Sequence, residues 1–218
     1  MSVAMEAEII PWGDGKATYR LFDQDIRKGT PLGRILGNGT GSVGKTYGLT
    51  RIPTVKNQGI PAYDPRSVKG IGITYATSTM GADHTAGYTI ATNILKVGGF
   101  VDPLQKEGQV ELSRNLSIAT AAVDSCGLCI FVAFPSLDIP ECFTAIYEMI
   151  NARYGLSLTA DDVVGLGKYI LKTEHEFNLA AGMTNKDDRL PEFFEEEVPP
   201  HNSVWDFSGA EIDEFWNF

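Results

Sequence analysis

Proline marks where helices open along this chain. Asp64-Pro65 and Asp102-Pro103 each place a capping carboxylate before a residue suited to the first helical position, and Ile139-Pro140-Glu141 repeats the pattern. Apolar residues at helical spacing follow each of them. Val68, Ile71, Tyr75 and Ala76 share one face. Val110, Ser113, Leu116, Ser117, Thr120 and Ala121 form a milder stripe in a helix expected from Leu104 to about Asp124. Phe143, Ile146, Tyr147 and Ile150 form a third, running to Arg153. Thr159 is a natural N-cap for a further helix that reaches Ala181 or Gly182. Few segments alternate as strands do, so the expected fold is mainly α-helical.

Composition removes several classes. With 18 basic and 28 acidic residues the net charge is -10, which argues against a nucleic-acid partner. Three cysteines, an odd number, argue against a secreted disulfide framework and for a reducing compartment, hence a cytoplasmic protein. The first eight residues lack the basic-then-apolar pattern of a signal peptide. No apolar run approaches the ~20 residues of a membrane span.

The stretch Ala121 to Phe134 is chemically the densest. Asp124, Gly127 and two thiols, Cys126 and Cys129, fall within six residues between apolar flanks. That setting predicts burial of Asp124 and Cys129, and a buried carboxylate or thiolate needs a partner. Gly127 permits either a special backbone shape or a close ligand approach. Cys126 and Cys129 are spaced as a redox pair or half a zinc knuckle, but no βαβ pattern surrounds them and the chain has no second knuckle. They also suit the role of small buried hydrophobes.

Elsewhere, Gly39 to Thr46 satisfies the pattern Gly-x4-Gly-Lys-Thr of a phosphate-binding loop. A true site needs a strand before it and a long helix after it. Leu32 to Asn38 is a poor strand, and Gly48 and Pro53 interrupt any helix that would continue from Thr46. A P-loop nucleotide-binding protein stands as an alternative reading. Arg51 to Gly59 reads as an extended linker. A short helix ends at Gly81-Ala82-Asp83, a second runs from about Thr85 to Leu95, and His84 sits at the junction between small residues that leave room for an approaching group. Imidazole suits proton transfer near neutrality. Asp83 fits the same network or a helix cap. His175 lies between Glu174 and Glu176, but adjacent residues do not share a helix face, so a surface cluster is expected. Ile130 to Phe134 has strand composition. The late aromatics Phe193, Phe194, Trp205, Phe207, Phe215 and Trp216 are expected to pack back onto the helices.

Three blocks together carry a resemblance. Asp124-x-x-Gly127-Leu128-Cys129 resembles the second Asp-x-x-Gly-Leu-Cys motif of the tungsten-containing aldehyde ferredoxin oxidoreductase family. Ile60 to Arg66 followed by Gly72 to Gly87, then Glu176-Phe177-Asn178 and Asp187 to Pro191, stand in that family's order. The resemblance runs from about Asp14 to the end. It implies a helical chain equivalent to the end of the family's second domain, residues 1–60, and most of its third, residues 61–218. It shifts Ile130 to Phe134 toward irregular or helical structure.

The resemblance also implies an activity: oxidation of an aldehyde with water to a carboxylic acid. Tungsten (or molybdenum) held by two pyranopterins takes the electrons, and a 4Fe-4S cluster passes them to ferredoxin or a partner subunit. Asp124, Gly127 and Leu128 match the pterin-holding motif. Cys129 matches a cluster ligand, and His84 the active-site histidine beside the metal, where it exchanges a proton or hydrogen-bonds the substrate. The family's Cys-x2-Cys-x3-Cys run, first Asp-x-x-Gly-Leu motif, β-rich base and upstream catalytic glutamate have no counterpart here. The expectation is a fragment, inactive and cofactor-free alone, completed by the remainder of the enzyme or a complementing chain, with oligomers possible. A cofactor-free helical interaction module is the other alternative.

Overall fold

Helix α5, Lys69–Thr77, is buried on every side. It is the centre around which the rest is assembled in this computed structural model, which describes residues 2–218. The sequence spacing predicts a one-sided amphipathic helix, yet a helix apolar or hydrogen-bonded all round becomes a core element. Ile71, Ile73 and Tyr75 have no exposed surface. Gly72 leaves the space that Trp205 and Pro65 fill, and Gly70 leaves space beside Asn93 and Gln109. Its polar members are paired: Lys69 Nζ lies 2.5 Å from Asp206 Oδ1, and Thr74 Oγ1 bonds Ser113 Oγ at 2.8 Å.

Before this centre run α1 (Ser2–Glu6), α2 (Gly15–Leu21) with a π-turn at Phe22–Ile26, α3 (Pro31–Gly37) and α4 (Thr40–Tyr47). A two-stranded antiparallel hairpin comes next, β1 (Thr54–Val55) and β2 (Gln58–Gly59), with Val55 opposite Gln58. The expected linker is therefore partly a hairpin. After α5 come α6 (Ile90–Asn93), α7 (Gln109–Ser125), α8 (Ala133–Asp138), α9 (Pro140–Tyr154), α10 (Ala160–Ala180) and α11 (Gly209–Asp213). The mainly α-helical expectation holds.

The long helix α7 lies between α5 and α10. On α10 the buried residues Val163, Gly167 and Leu171 recur every four positions. Gly167 meets the Ile118 carbonyl so closely that a Cβ has no room. Thr159 and Asp162 form a reciprocal capping box, as the sequence suggests. The late aromatics return to the core: Phe194, Trp205, Phe207 and Phe215 are buried with Ile212. Arg114 of α7 holds that tail through the carbonyls of Phe215 and Glu214, at 2.9 and 2.6 Å.

The Asp-Pro pairs open turns, not helices. Asp64 Oδ1 accepts the Arg66 N–H at 2.9 Å, and α5 starts only at Lys69. Asp102 Oδ1 accepts the Leu104 N–H at 2.9 Å, and α7 starts at Gln109 after Gly108 in a left-handed conformation. Aspartate before proline preorganises a tight turn as readily as a helix cap. The two turns are joined, since the Lys69 N–H donates to the Pro103 carbonyl at 2.9 Å. Of these three prolines only Pro140 stands at a helix start. The helix expected over Thr85 to Leu95 is broken into a 3-10 turn, Thr85–Gly87, and α6, because the Gly87 carbonyl is taken by Thr74 Oγ1 at 2.9 Å. Ile130–Val132 is a 3-10 turn leading into α8, not a strand.

Candidate functional site

Helix α7 ends in a turn set by Gly127. Its φ is 77°, the Leu128 N–H reaches the Val123 carbonyl at 3.2 Å, and the Gly127 N–H reaches that of Asp124 at 2.9 Å. This is a Schellman cap, which accounts for the glycine by backbone shape. A Cβ there meets nothing within 4 Å. Helical periodicity turns Ala122 and Val123 inward and Asp124 and Ser125 outward. Asp124 and Cys129, expected to be buried, are therefore exposed, and Cys126 and Leu128 are half-buried. All three thiols are free, and burial raises that of Cys126. Phe131, two residues beyond Cys129, is 73% exposed.

A cavity of about 220 Å³ lies beside this turn, lined by Thr77, Met80, Asp83, Asp124, Glu174 and Phe215 among others. It brings the Asp83-His84 junction and the end of α7 to one place. Partial burial, and then the charge of Asp83, raises the Asp124 carboxyl above its usual range. The cavity rim is tied down from α10: Thr79 Oγ1 donates to Glu174 Oε2 at 2.7 Å, and Asn178 Nδ2 donates to the Thr79 carbonyl at 2.8 Å.

Tyr63 and Tyr88 pack together beside His84, with ring centroids 5.7 and 5.8 Å from it and 6.1 Å from each other. Its side chain is 37% exposed, and its Nδ1 lies 3.9 Å from Asp83 Oδ1, too far for a hydrogen bond. Asp83 instead accepts the Thr85 N–H at 2.9 Å and the Thr85 hydroxyl at 2.8 Å, a local turn ahead of the 3-10 segment whose N-cap is His84. Tyr88 also packs edge-on against Phe134, linking His84 to the segment after Cys129. Sequence reasoning singled out neither tyrosine for a role. The spacing from His84 to Tyr88 carries no helical signal, because the segment is a 3-10 turn.

Other sequence candidates resolve structurally. Helix α4 begins at Thr40, inside the phosphate-loop pattern, and helix α3 precedes it. The backbone N–H groups a phosphate requires enter the helix, as from Val43 to the Gly39 carbonyl. Gly41 and Gly44 make room for Asn57 and Ile52. The nucleotide reading is overturned on this geometry. His175 stacks on Trp216 at 3.8 Å, a packing role, while His201 lies in an exposed turn. Among the described residues no three His, Cys, Asp or Glu side chains converge as a metal site, and no helix is long and apolar enough to cross a membrane.

The turn and the cavity together offer one outward thiol, Cys129, one carboxylate with a raised pKa, Asp124, and a second carboxylate, Asp83, next in the chain to His84. Comparison with known proteins agrees in extent. The family model described as aldehyde ferredoxin oxidoreductase, domains 2 and 3, matches residues 4–215. The chain is 32% identical over 192 residues to the tungsten-containing aldehyde ferredoxin oxidoreductase of Pyrococcus furiosus, covering 87% of this chain and 31% of that protein. It is 36% identical over 178 residues to the protein of the same description from Pyrococcus horikoshii, covering 80% and 28%. For that of Thermococcus kodakarensis the identity is 31%, covering 87% and 31%. The chain thus spans less than a third of the length of these relatives. A helical chain of this length, matched from Ala4 to Phe215, belongs to the aldehyde ferredoxin oxidoreductase family, in the region of its domains 2 and 3.

Proposed function

We propose that this chain is the C-terminal part of an oxidoreductase that converts aldehydes to carboxylic acids at a tungsten (or molybdenum) pyranopterin centre. In this reading electrons leave through a 4Fe-4S cluster to ferredoxin or an electron-transfer subunit, in the cytoplasm. The observation that carries it is the end of α7, where Asp124 lines the cavity bounded by Asp83 and the turn that follows leaves Gly127 and Cys129 exposed. Residues 1–60 and 61–218 are read as the end of the middle domain and the C-terminal domain.

The residues fit these groups as contributors, not as complete sites. Asp124 would offer a carboxylate to the N–H edge of a pterin, and the space beside Gly127 is open. Cys129 offers one thiolate to a cluster that needs four ligands. When bound, the centre and cluster supply the two-electron and one-electron chemistry. The chain's own residues orient and exchange protons. In this reading His84 takes the proton released as the aldehyde carbon is oxidised, and the cavity walled in part by Met80 and Phe215 receives the aldehyde's organic group. The isolated chain is inactive in this reading, because its partners in both sites lie outside it.

The test is metal and iron analysis with activity, on the metal-loaded assembly that contains this chain. Cys129→Ser is expected to lose cluster iron, whereas Cys126→Ser keeps it. His84→Asn is expected to keep both metals and lose about 10²–10⁴-fold in kcat. Full iron content in Cys129→Ser sinks the cluster assignment. Unchanged turnover in His84→Asn sinks the proton role. The cofactor-free interaction module gains support only if the assembly, purified from its source without chelator, holds neither tungsten, molybdenum nor cluster iron.

A further inference from the structure

We propose that Tyr63 and Tyr88 form a one-sided clamp for His84, a pair of rings joined by the hydrogen bond between their two hydroxyls against which the imidazole rests. The inference rests on the reading of His84 as the proton-handling residue. Among the described residues the His84 side chain makes no hydrogen bond, and its nearest charged neighbour, Asp83 Oδ1, is 3.9 Å away. What fixes the imidazole is therefore contact with rings. Tyr63 lies against it at 5.7 Å with 49° between the planes, and Tyr88 at 5.8 Å with 60°. The two tyrosines are 25 residues apart in sequence, and their hydroxyl oxygens meet at 2.8 Å.

Each jaw has its own anchor. The Tyr63 carbonyl accepts the hydroxyl of Tyr75, a residue of α5 with no exposed surface, at 3.3 Å. Tyr88 comes directly after Gly87, which is pressed so closely on α7 that a Cβ would meet Ser117 Oγ. The far side of Tyr88 rests on Phe134 at 5.8 Å. With both backbones fixed, the hydroxyl bond closes the remaining freedom, which is rotation of the two rings. Burial, then the bond to Tyr63, raises the Tyr88 hydroxyl to about 12. A proton-transfer group must be held in a narrow range of orientations to be productive, and two joined rings packed against one side of the imidazole, 6.1 Å from each other, restrict it without using either imidazole nitrogen.

The clamp makes a specific demand: Tyr63→Phe and Tyr88→Phe remove the same bond. Each keeps its ring, so each is expected to move the His84 ring-proton resonances in the 218-residue chain. The double variant is expected to move them no further than either single one. The resonances are assigned by their loss in His84→Gln, and those of His175 and His201 serve as controls that stay in place. Additive displacements, or unmoved His84 resonances in both single variants, overturn the clamp. Should one variant fail to fold, the other removes the same bond, and Tyr88→Leu, which removes a jaw, is expected to displace the resonances further than Tyr88→Phe. Turnover in the metal-loaded assembly separates this proposal from the reading beneath it. Coupled resonances with undiminished turnover in His84→Gln remove the proton role of His84 and leave the clamp standing. Uncoupled resonances remove the clamp whatever His84→Gln does.

Discussion

Gly127 and Asp188 show how differently single residues hold this chain. Gly127 acts through φ alone, as the left-handed residue of the α7 cap. Gly127→Ala is expected to lower stability by about 1 kcal/mol, read from urea unfolding, with no clash because the space beside it is open. Asp188 acts through charge. Its Oδ1 lies 2.6 Å from Lys56 Nζ, with side chains 7% and 3% exposed, and its Oδ2 accepts the Trp216 N–H at 3.0 Å. Asp188→Ala leaves a buried ammonium without its counter-charge, at an expected cost of about 3–5 kcal/mol in the same measurement. Both residues stand in the blocks that carry the family resemblance. The sequence allows Gly127 either to shape the backbone or to admit a ligand; the structure shows the first role and leaves open space beside it for the second.

Between elements, the contacts that matter join segments far apart in sequence. Gly167 lets α10 rest on the Ile118 carbonyl of α7. Gly167→Ala must push the helices apart and is expected to cost about 1–3 kcal/mol. The same pair of helices frames the cavity, so that variant is also expected to loosen its Leu171 and Ser117 walls. His175 joins α10 to the C-terminal tail by stacking on Trp216. Burial is the main cause that lowers its pKa; Lys56 adds to this, and Asp188 and Glu176 oppose it. The unfolded chain then binds this proton more readily than the folded one, so stability rises with pH through this titration. Thermal unfolding is expected to occur at lower temperature as pH falls from about 6.5, with no further loss from His175 below its folded pKa. His175→Gln should flatten that slope, and an unchanged slope would show that another group is responsible.

At the scale of the molecule, the candidate site lies where three segments converge, and none of them is complete alone. The 78–88 loop brings Asp83, His84 and Tyr88, the end of α7 brings Asp124 and Cys129, and α10 brings Glu174. With a single outward thiol and no converging triad of ligands among the described residues, the chain purified alone is expected to hold no iron in cluster proportion. Metal analysis after anaerobic reconstitution with iron and sulfide checks this. Stoichiometric cluster iron on the isolated chain would contradict the shared-site reading.

Sequence by itself determined what depends on local pattern. Helical class, the capping box at Thr159, the Pro140 helix start and the return of the aromatics all come from spacing and side-chain type, which neighbours in the chain can express. The motif at Asp124 to Cys129 was legible as a carboxylate, a glycine and a thiol in one turn. Tertiary structure alone decided burial and partnership. It exposed Cys129, drew the Asp64 and Asp102 turns together through the Lys69 N–H and the Pro103 carbonyl, and set Asn57 and Ile52 against Gly41 and Gly44 of the Gly39–Thr46 pattern. It also set Tyr63 beside Tyr88 across 25 residues. The physical reason is range. A cap or a periodic stripe is an interaction over three or four residues, whereas burial and the meeting of two hydroxyls depend on how distant segments pack, which no local pattern encodes.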